Sequence, residues 1–399
     1  GLPVTCGHEL TSRLDSVRRA TTAALNAQLI PLLQDLIATV RRTLDEMGIA
    51  APLMVVKGDG SLVRAPWALK RPIETILSGP AASVVGAWHL AGRQDVWTVD
   101  VGGTTTDIAV LDGGRPRRSH RGASVGGWRT MVEAADVHTV GLGGDSYVRL
   151  NGTDVLIGPR RVIPLSLLAY EYPATLEKLR FLEQERTGGR GCEFVVRQRE
   201  ALRGLTAEKR ALLRSLRNGP RPVAELAAEG PLATQWVRSL EARQIVLRSA
   251  FTPTDALHAL GRLSLWNTEA AQIGARMLAR EVGISVEELC IRVVDGVSDR
   301  VSQALVTKVL NDEGPSPDWE AEPSALALLR RALGKSGGSD LACDLKLRRP
   351  VVAIGAPVEA YLPRVADQLN TELVIPSHAE VANAVGAVTG SVIQQVRVT

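Results

Sequence analysis

Asp95 to Leu111 reads DVWTVDVGGTTTDIAVL, and the fold turns on how that stretch is understood. Val96 to Val101 is apolar and β-branched, which predicts a buried strand. Gly102 and Gly103 break the run, Thr104, Thr105 and Thr106 follow, and Asp107 opens a second apolar run, Ile108 to Leu111. The two runs are close enough to pair as a hairpin. Glycines at its tip let backbone amides approach an anion with no Cβ in the way, and threonine hydroxyls add donors. Asp100 stands where strand meets loop, placed to hold or orient a magnesium-bound water or an attacking hydroxyl. Asp107 flanks the loop on its other side as a second candidate catalytic carboxylate. A hairpin that merely needs glycine would explain the Gly-Gly pair alone. An aspartate on each side of G-G-T-T-T favours a phosphate loop.

Glycine sites recur on either side. Upstream, RPIETILSGPAASVVGA (Arg71–Ala87) reads as a loop and then a small-residue helix, Ala81 to Leu90, suited to close packing on a sheet. Downstream, HTVGLGGDS (His138–Ser146) is a loop, because Gly141, Gly143 and Gly144 cannot all be helix interior. Asp145 there is either a further carboxylate near a metal or an N-cap, and His138 is a candidate general base. Val351 to Ile354 predicts another buried strand, ending in Gly355-Ala356-Pro357. Beyond it, Pro376-Ser377-His378 leads into a helix, Ala379 to Val392.

These motifs, with IGPRRV (Ile157–Val162) and TPTDALHALGRL (Thr252–Leu263), occur in an order that resembles the hydantoinase A/5-oxoprolinase family, part of the actin-like, sugar-kinase and chaperone ATPase superfamily. The resemblance covers most of the chain except about 165–250. It implies an α/β fold: a ribonuclease-H-like lobe of the actin/chaperone ATPase type with a mixed sheet, in two parts, 1–190 and 251–399. It implies ATP and Mg2+ as cofactors and ATP-dependent hydrolysis of a cyclic amide, or a role as a ketone carboxylase subunit. By the same resemblance Gly102, Gly103, Thr104 and Thr105 hold phosphates, Gly143 and Gly144 support them, Gly355 and Ala356 face adenosine, and Asp100 holds the metal shell. Gly7-His8-Glu9 stands where the family has Ser-His-Glu, which leaves His8 and Glu9 either near substrate or on a surface turn. The superfamily closes ATP between two lobes, each with a D-x-G-x-T-like loop. This chain shows one, Asp100–Thr104, so a partner subunit or a longer native chain is expected to supply the other, in an oligomer.

Leu10 to Met47 carries helical periodicity, with Pro31 starting a second helix or kinking the first. Residues 195–250 read as an inserted winged-helix-like module: a helix capped by Thr206, a second over Val223–Ala228, a third over Leu232–Ala242 and a strand over Ile245–Leu247. Arg238 and Arg243 would face outward, although a spacer or protein contact is favoured over DNA. Gly334-Lys335-Ser336 is not a P-loop, because position 329 is Leu329 where that motif needs glycine. Thr254-Asp255 is expected to cap the next helix, with Asp255 approaching the cleft.

Composition sets the outer bounds. The chain has 399 residues, 45% hydrophobic and 23% charged, which is ample for two or three ordinary globular domains. A net charge of +4 argues against general nucleic-acid binding. Four scattered cysteines without CxxC pairing suggest reduced thiols and a cytoplasmic protein, with no zinc site. No apolar run approaches the ~20 residues of a membrane span and no signal peptide is visible, and a chain that opens on Gly1 is expected to be a processed or truncated piece.

Overall fold

The computed structural model describes residues 4–119, 122–125, 127–187, 189–200, 204–334 and 340–392. Lys335 and Ser336 lie outside the described residues, as do His120 and Arg121 of the basic run that starts at Arg115.

The architecture is mixed α/β. Its main sheet holds β1 (Val96–Val101), β2 (Thr106–Asp112), β3 (Arg115–Pro116), β4 (His138–Val140), β5 (Val351–Ile354) and β6 (Leu373–Val374), in the order β6-β5-β1-β2, with β3 and β4 both on the far edge of β2. β1 and β2 form the expected antiparallel hairpin, while β5 joins β1 in parallel and β6 joins β5 in parallel. Val99, Val101, Ile108, Val110 and Leu111 are fully buried, each worth about 1.5–3 kcal/mol relative to exposure. Parallel strands need covered faces and read as continuous apolar runs, which is why β1 and β5 alternate so little.

Helix α1 (Ser16–Glu46) is one continuous element. Pro31 neither starts a second helix nor ends the first. It is exposed, so the Ala27 carbonyl that it leaves without a partner can reach water. Asn26 ties α1 to the body, accepting from the Ile73 amide at 3.1 Å and donating to the Lys70 carbonyl at 3.2 Å. By length and composition α1 holds an 18-residue window apolar enough to cross a membrane, with a mean hydropathy of 1.3, contrary to the sequence expectation; a lone helix of this kind is weak grounds for a span. Helix α2 (Ser78–Ala91) lies against the sheet. On its outer side comes α5 (Ala382–Thr389), shorter than the predicted 379–392 because residues 379–381 form a 3-10 turn and Gly390 ends the helix. The two helices meet backbone to backbone: a Cβ on Gly86 would strike the Ala382 carbonyl, and one on Gly386 the Ala82 carbonyl. Helices α3 (Val286–Glu313) and α4 (Val358–Gln368) pack together over the other face, with Ser298 donating to the Tyr361 carbonyl at 3.0 Å.

Residues 194–250 carry helices Ala207–Ser215, Val223–Ala228 and Pro231–Ala242, close to the predicted positions, and Thr206 caps the first. Strands Phe194–Arg197 and Val246–Ala250 pair antiparallel, and Ile163–Pro164 extends the same sheet toward the main body. A second apolar cluster, including Leu212, Leu226, Val237 and Leu240, lies within this segment.

Gly86→Ala should force α2 and α5 apart. Overpacking of this kind costs about 1–3 kcal/mol, so the thermal unfolding midpoint followed by circular dichroism should fall. An unchanged midpoint would mean that the two backbones are not in contact.

Candidate functional site

The hairpin closes through a single bond, from the Gly102 amide to the Thr105 carbonyl at 2.9 Å. The amides of Gly103, Thr104 and Thr105 meet no protein acceptor among the described residues, and Gly103 and Thr104 are exposed. Successive free amides on a glycine bend form a concavity suited to an anion.

A second loop holds the bend in place. The Gly144 amide donates to the Gly102 carbonyl at 3.0 Å, and the Asp145 amide donates to the Gly103 carbonyl at 2.7 Å. Thr106 Oγ1 donates to the Leu142 carbonyl at 2.8 Å, and Ser146 Oγ accepts from the Gly143 amide at 2.9 Å. Gly143 has to be glycine, since a Cβ there would collide with the carbonyls of Gly102 and Gly103. From the other side, Gly355 (φ +106°) brings its backbone against Val101, and its missing Cβ leaves room beside Asp100 Oδ1. The fold therefore brings Gly102, Gly103, Thr104, Thr105, Gly143, Gly144 and Gly355 together, and Ala356 follows as an exposed residue at the same strand end.

Asp100 and Asp107 are directly opposite each other across β1 and β2, on the face toward α2. Burial raises both carboxyls above the usual aspartate range; the Ser83 hydroxyl pulls Asp100 back, the Asp107 charge raises it further, and Thr139 pulls Asp107 back. Thr139 Oγ1 donates to Asp107 Oδ1 at 2.5 Å. Asn383 Nδ2 donates to Ser83 Oγ at 3.1 Å and to the Gly79 carbonyl at 2.9 Å, which orients the serine. Two adjacent carboxylates served only by hydroxyls suit a hard divalent cation that keeps most of its water. Among the described residues no group of three or more His, Cys, Asp or Glu side chains could hold a metal alone, so phosphate oxygens would have to complete such a shell.

Other expectations are corrected. His138 pairs with Ile108 in register, so its ring faces α3, away from the Asp100–Asp107 face, and it is no base for chemistry at the bend. Asp145 precedes a strand, Ser146–Asn151, and so caps no helix; it pairs with Arg161 at 3.1 Å and packs against Gly103. Asp255 is fully buried. Thr252, not Thr254, is the cap, and Asp255 completes its capping box while accepting from Leu165 and Ser166, with burial pushing its carboxyl up to about 6. Burial also pushes the Cys290 thiol up to about 12, which marks it as unreactive. The sequence reading missed Ser83 and Thr139, and it gave Thr254 the wrong role. Thr254 Oγ1 donates to the Gly144 carbonyl at 2.8 Å and so props the second loop. No local pattern flags these residues, because each partner is distant in sequence.

Residues 19–173 match the hydantoinase/oxoprolinase family model, as the motifs suggested, although over a shorter stretch. The caprolactamase alpha subunit of Pseudomonas jessenii is 31% identical over 161 residues, 39% of this chain and 23% of that protein. The acetophenone carboxylase gamma subunit of Aromatoleum aromaticum is 27% identical over 40% of this chain and 22% of its own length, and a 5-oxoprolinase of Dictyostelium discoideum is 26% identical over 40% and 14%. The matched stretch thus spans less than a quarter of each of these curated relatives. The fold resembles that of the ATP-dependent caprolactamase from P. jessenii (TM-score 0.55, 20% identity, 96% of this chain and 43% of that one). It also resembles nucleotide-free acetone carboxylase (TM-score 0.54, 15% identity, 96% and 41%).

The carboxylate pair predicts a pH effect. Because both folded-state pKa values lie above the unfolded value, ionisation costs stability as pH rises through that range and the cost persists at neutral pH. Asp107→Asn should therefore stabilise the protein at pH 7 by up to about 1 kcal/mol. The gain should vanish below the ordinary aspartate pKa, where both carboxyls are protonated; chemical denaturation at the two pH values checks this.

Proposed function

We propose, from the premise that residues 19–173 are of the hydantoinase/oxoprolinase family, that the chain binds ATP at the Gly102–Thr105 bend and takes part in ATP-dependent activation of a cyclic amide. The observation that carries this reading is the exposed bend with free amides at Gly103, Thr104 and Thr105, clamped by the Gly143–Asp145 loop. The strand order β4-β2-β1-β5-β6, with an antiparallel half and a parallel half, supports reading the sheet as a ribonuclease-H-like ATPase lobe.

In the proposed reaction the γ-phosphoryl group of ATP passes to the amide oxygen and ADP leaves. Water then adds to the carbonyl carbon, the ring C–N bond breaks to leave the free amine and an acyl phosphate, and a second water cleaves that acyl phosphate to the carboxylate and inorganic phosphate. The residues here position and neutralise. Amides 103–105 would hold the phosphates and Asp100 and Asp107 a magnesium shell, with Ser83 and Thr139 keeping the two carboxylates aligned. Magnesium would supply charge neutralisation on the phosphate oxygens. Gly355 and Ala356 would face adenosine at the end of β5, beside β1.

Gly103 and Thr104 are open to solvent, so the bend reads as one side of a cleft that a second lobe or a partner subunit closes. The likeness to both a caprolactamase and an acetone carboxylase supports a second version of the same chemistry, in which the activated carbonyl belongs to a carboxylation instead of a hydrolysis. Residues 194–250 fit a winged-helix-like spacer that docks protein, with Arg238 exposed on its third helix.

Calorimetric titration with Mg-ATP should give saturable binding to the wild-type chain and binding at least about tenfold weaker for Asp100→Asn. Equal affinity in the two proteins would remove the bend from the nucleotide site.

A further inference from the structure

We propose that a cavity of about 510 Å3 beside β4 binds a small organic anion through a carboxylate or phosphate headgroup. The cavity lies among residues 117–119 and 122–124, the Arg129 side chain, residues 135–138 and the C-terminal half of α3. It is on the opposite face of the sheet from Asp100 and Asp107: His138 lines it, whereas the next residue, Thr139, turns to Asp107. It is a site distinct from the nucleotide bend and does not rest on the reading given above.

Its wall charges are unbalanced. Arg117, Arg118, Arg129 and Lys308 line it against Asp136 and Asp312, four cations to two carboxylates. Both carboxylates are already engaged: Lys308 Nζ lies 2.6 Å from Asp136 and 2.6 Å from Asp312, and Arg117 Nη1 lies 2.9 Å from Asp312. Arg118 pairs with Glu133 at 3.5 Å and with Asp59 at 3.9 Å, neither of which lines the cavity. Arg129 has no ion pair among the described residues. It stands opposite Ser124 in the hairpin Ser124–Val125/Trp128–Arg129, so a guanidinium fork and a hydroxyl share the exposed mouth. Lys308 is at the floor, only 4% exposed. Arg117 is held by Asp112 too, at 2.7 Å, so the charge left for an entering anion is that of Arg129, whose guanidinium offers charge-assisted hydrogen bonds at the mouth. His138 is held below its usual pKa, by burial first and Lys308 second, so it adds a hydrogen-bonding group without charge.

The volume argues for an organic body behind the headgroup. It falls within the range of small-molecule sites and exceeds what a bare oxyanion fills. Leu77, Ala123 and Val137 supply an apolar lining for that body.

The test is calorimetric titration of the 399-residue chain at low salt with succinate, glycerol phosphate and inorganic phosphate, on wild type, Arg129→Ala, Arg129→Lys and Asp100→Asn. Saturable binding of succinate or glycerol phosphate is expected, weakened at least about tenfold by Arg129→Ala, partly kept by Arg129→Lys and unchanged by Asp100→Asn. Whichever organic anion binds tighter identifies the headgroup. Arg129 is exposed, and circular dichroism will verify that its variants fold. No saturable binding, equal binding by Arg129→Ala and wild type, or loss in Asp100→Asn would each overturn the proposal. Binding of inorganic phosphate with no gain from an organic body would overturn it too.

Discussion

Everything at the centre of this molecule depends on a contact between two glycine-bearing loops. The carbonyls of Gly102 and Gly103 accept from the amides of Gly144 and Asp145, and Gly143 approaches so closely that no side chain fits between. A two-residue bend left alone would sample many conformations. Here two backbone bonds fix it while its own next three amides remain unpaired. The arrangement pairs the carbonyls and leaves the donors, which gives the bend a positive inner rim. Thr106 and Thr254 extend the same fastening to Leu142 and Gly144, so the clamp is anchored in β2 and in the segment after Val246–Ala250.

Around that clamp the sequence breaks a rule of sheet stability. Like charges directly opposite across an antiparallel pair repel, and partial burial raises the cost. Asp100 and Asp107 occupy such a pair inside an otherwise apolar hairpin. Hydrogen bonds from Ser83 and Thr139 soften the arrangement without neutralising it. Places where local stability is sacrificed are where a site is expected, because an arriving cation turns the repulsion into a gain.

How much of this was legible in the sequence follows from the range of each interaction. The β1–β2 hairpin, the Val351–Ile354 strand and the helices of 207–242 are set by local periodicity and turn residues, and they stand where those signals put them. The continuity of α1 through Pro31 was not legible, because it depends on which side of the helix meets water. The cap at Thr252 was misplaced by two residues because Thr254 is equally able to cap; the difference lies in Asp255 being drawn inward by Leu165 and Ser166, some 90 positions away in the chain. The glycines and aspartates of the site were visible because their chemistry is special at any range. Their supports, Ser83, Thr139 and Asn383, were not, because a serine or asparagine gains meaning only once a partner such as Gly79, 304 residues distant from Asn383, is brought to it.

The same dependence on distant partners links the 194–250 segment to the clamp. Arg248 bridges Glu193 and Glu241 with little exposure, and Tyr147 donates to Glu193. Arg160 reaches Glu241 at 2.7 Å, while the adjacent Arg161 pairs with Asp145 at 3.1 Å. Neighbouring residues of an extended chain point to opposite sides, so one dipeptide grips the segment with one hand and the clamp with the other. A buried charge that loses its partner is expensive, far more so than an exposed one. The Glu193–Arg248–Glu241 cluster therefore fixes where the segment sits relative to Tyr147 and Arg160, while the neighbouring Arg161 pairs with Asp145, whose amide holds the bend.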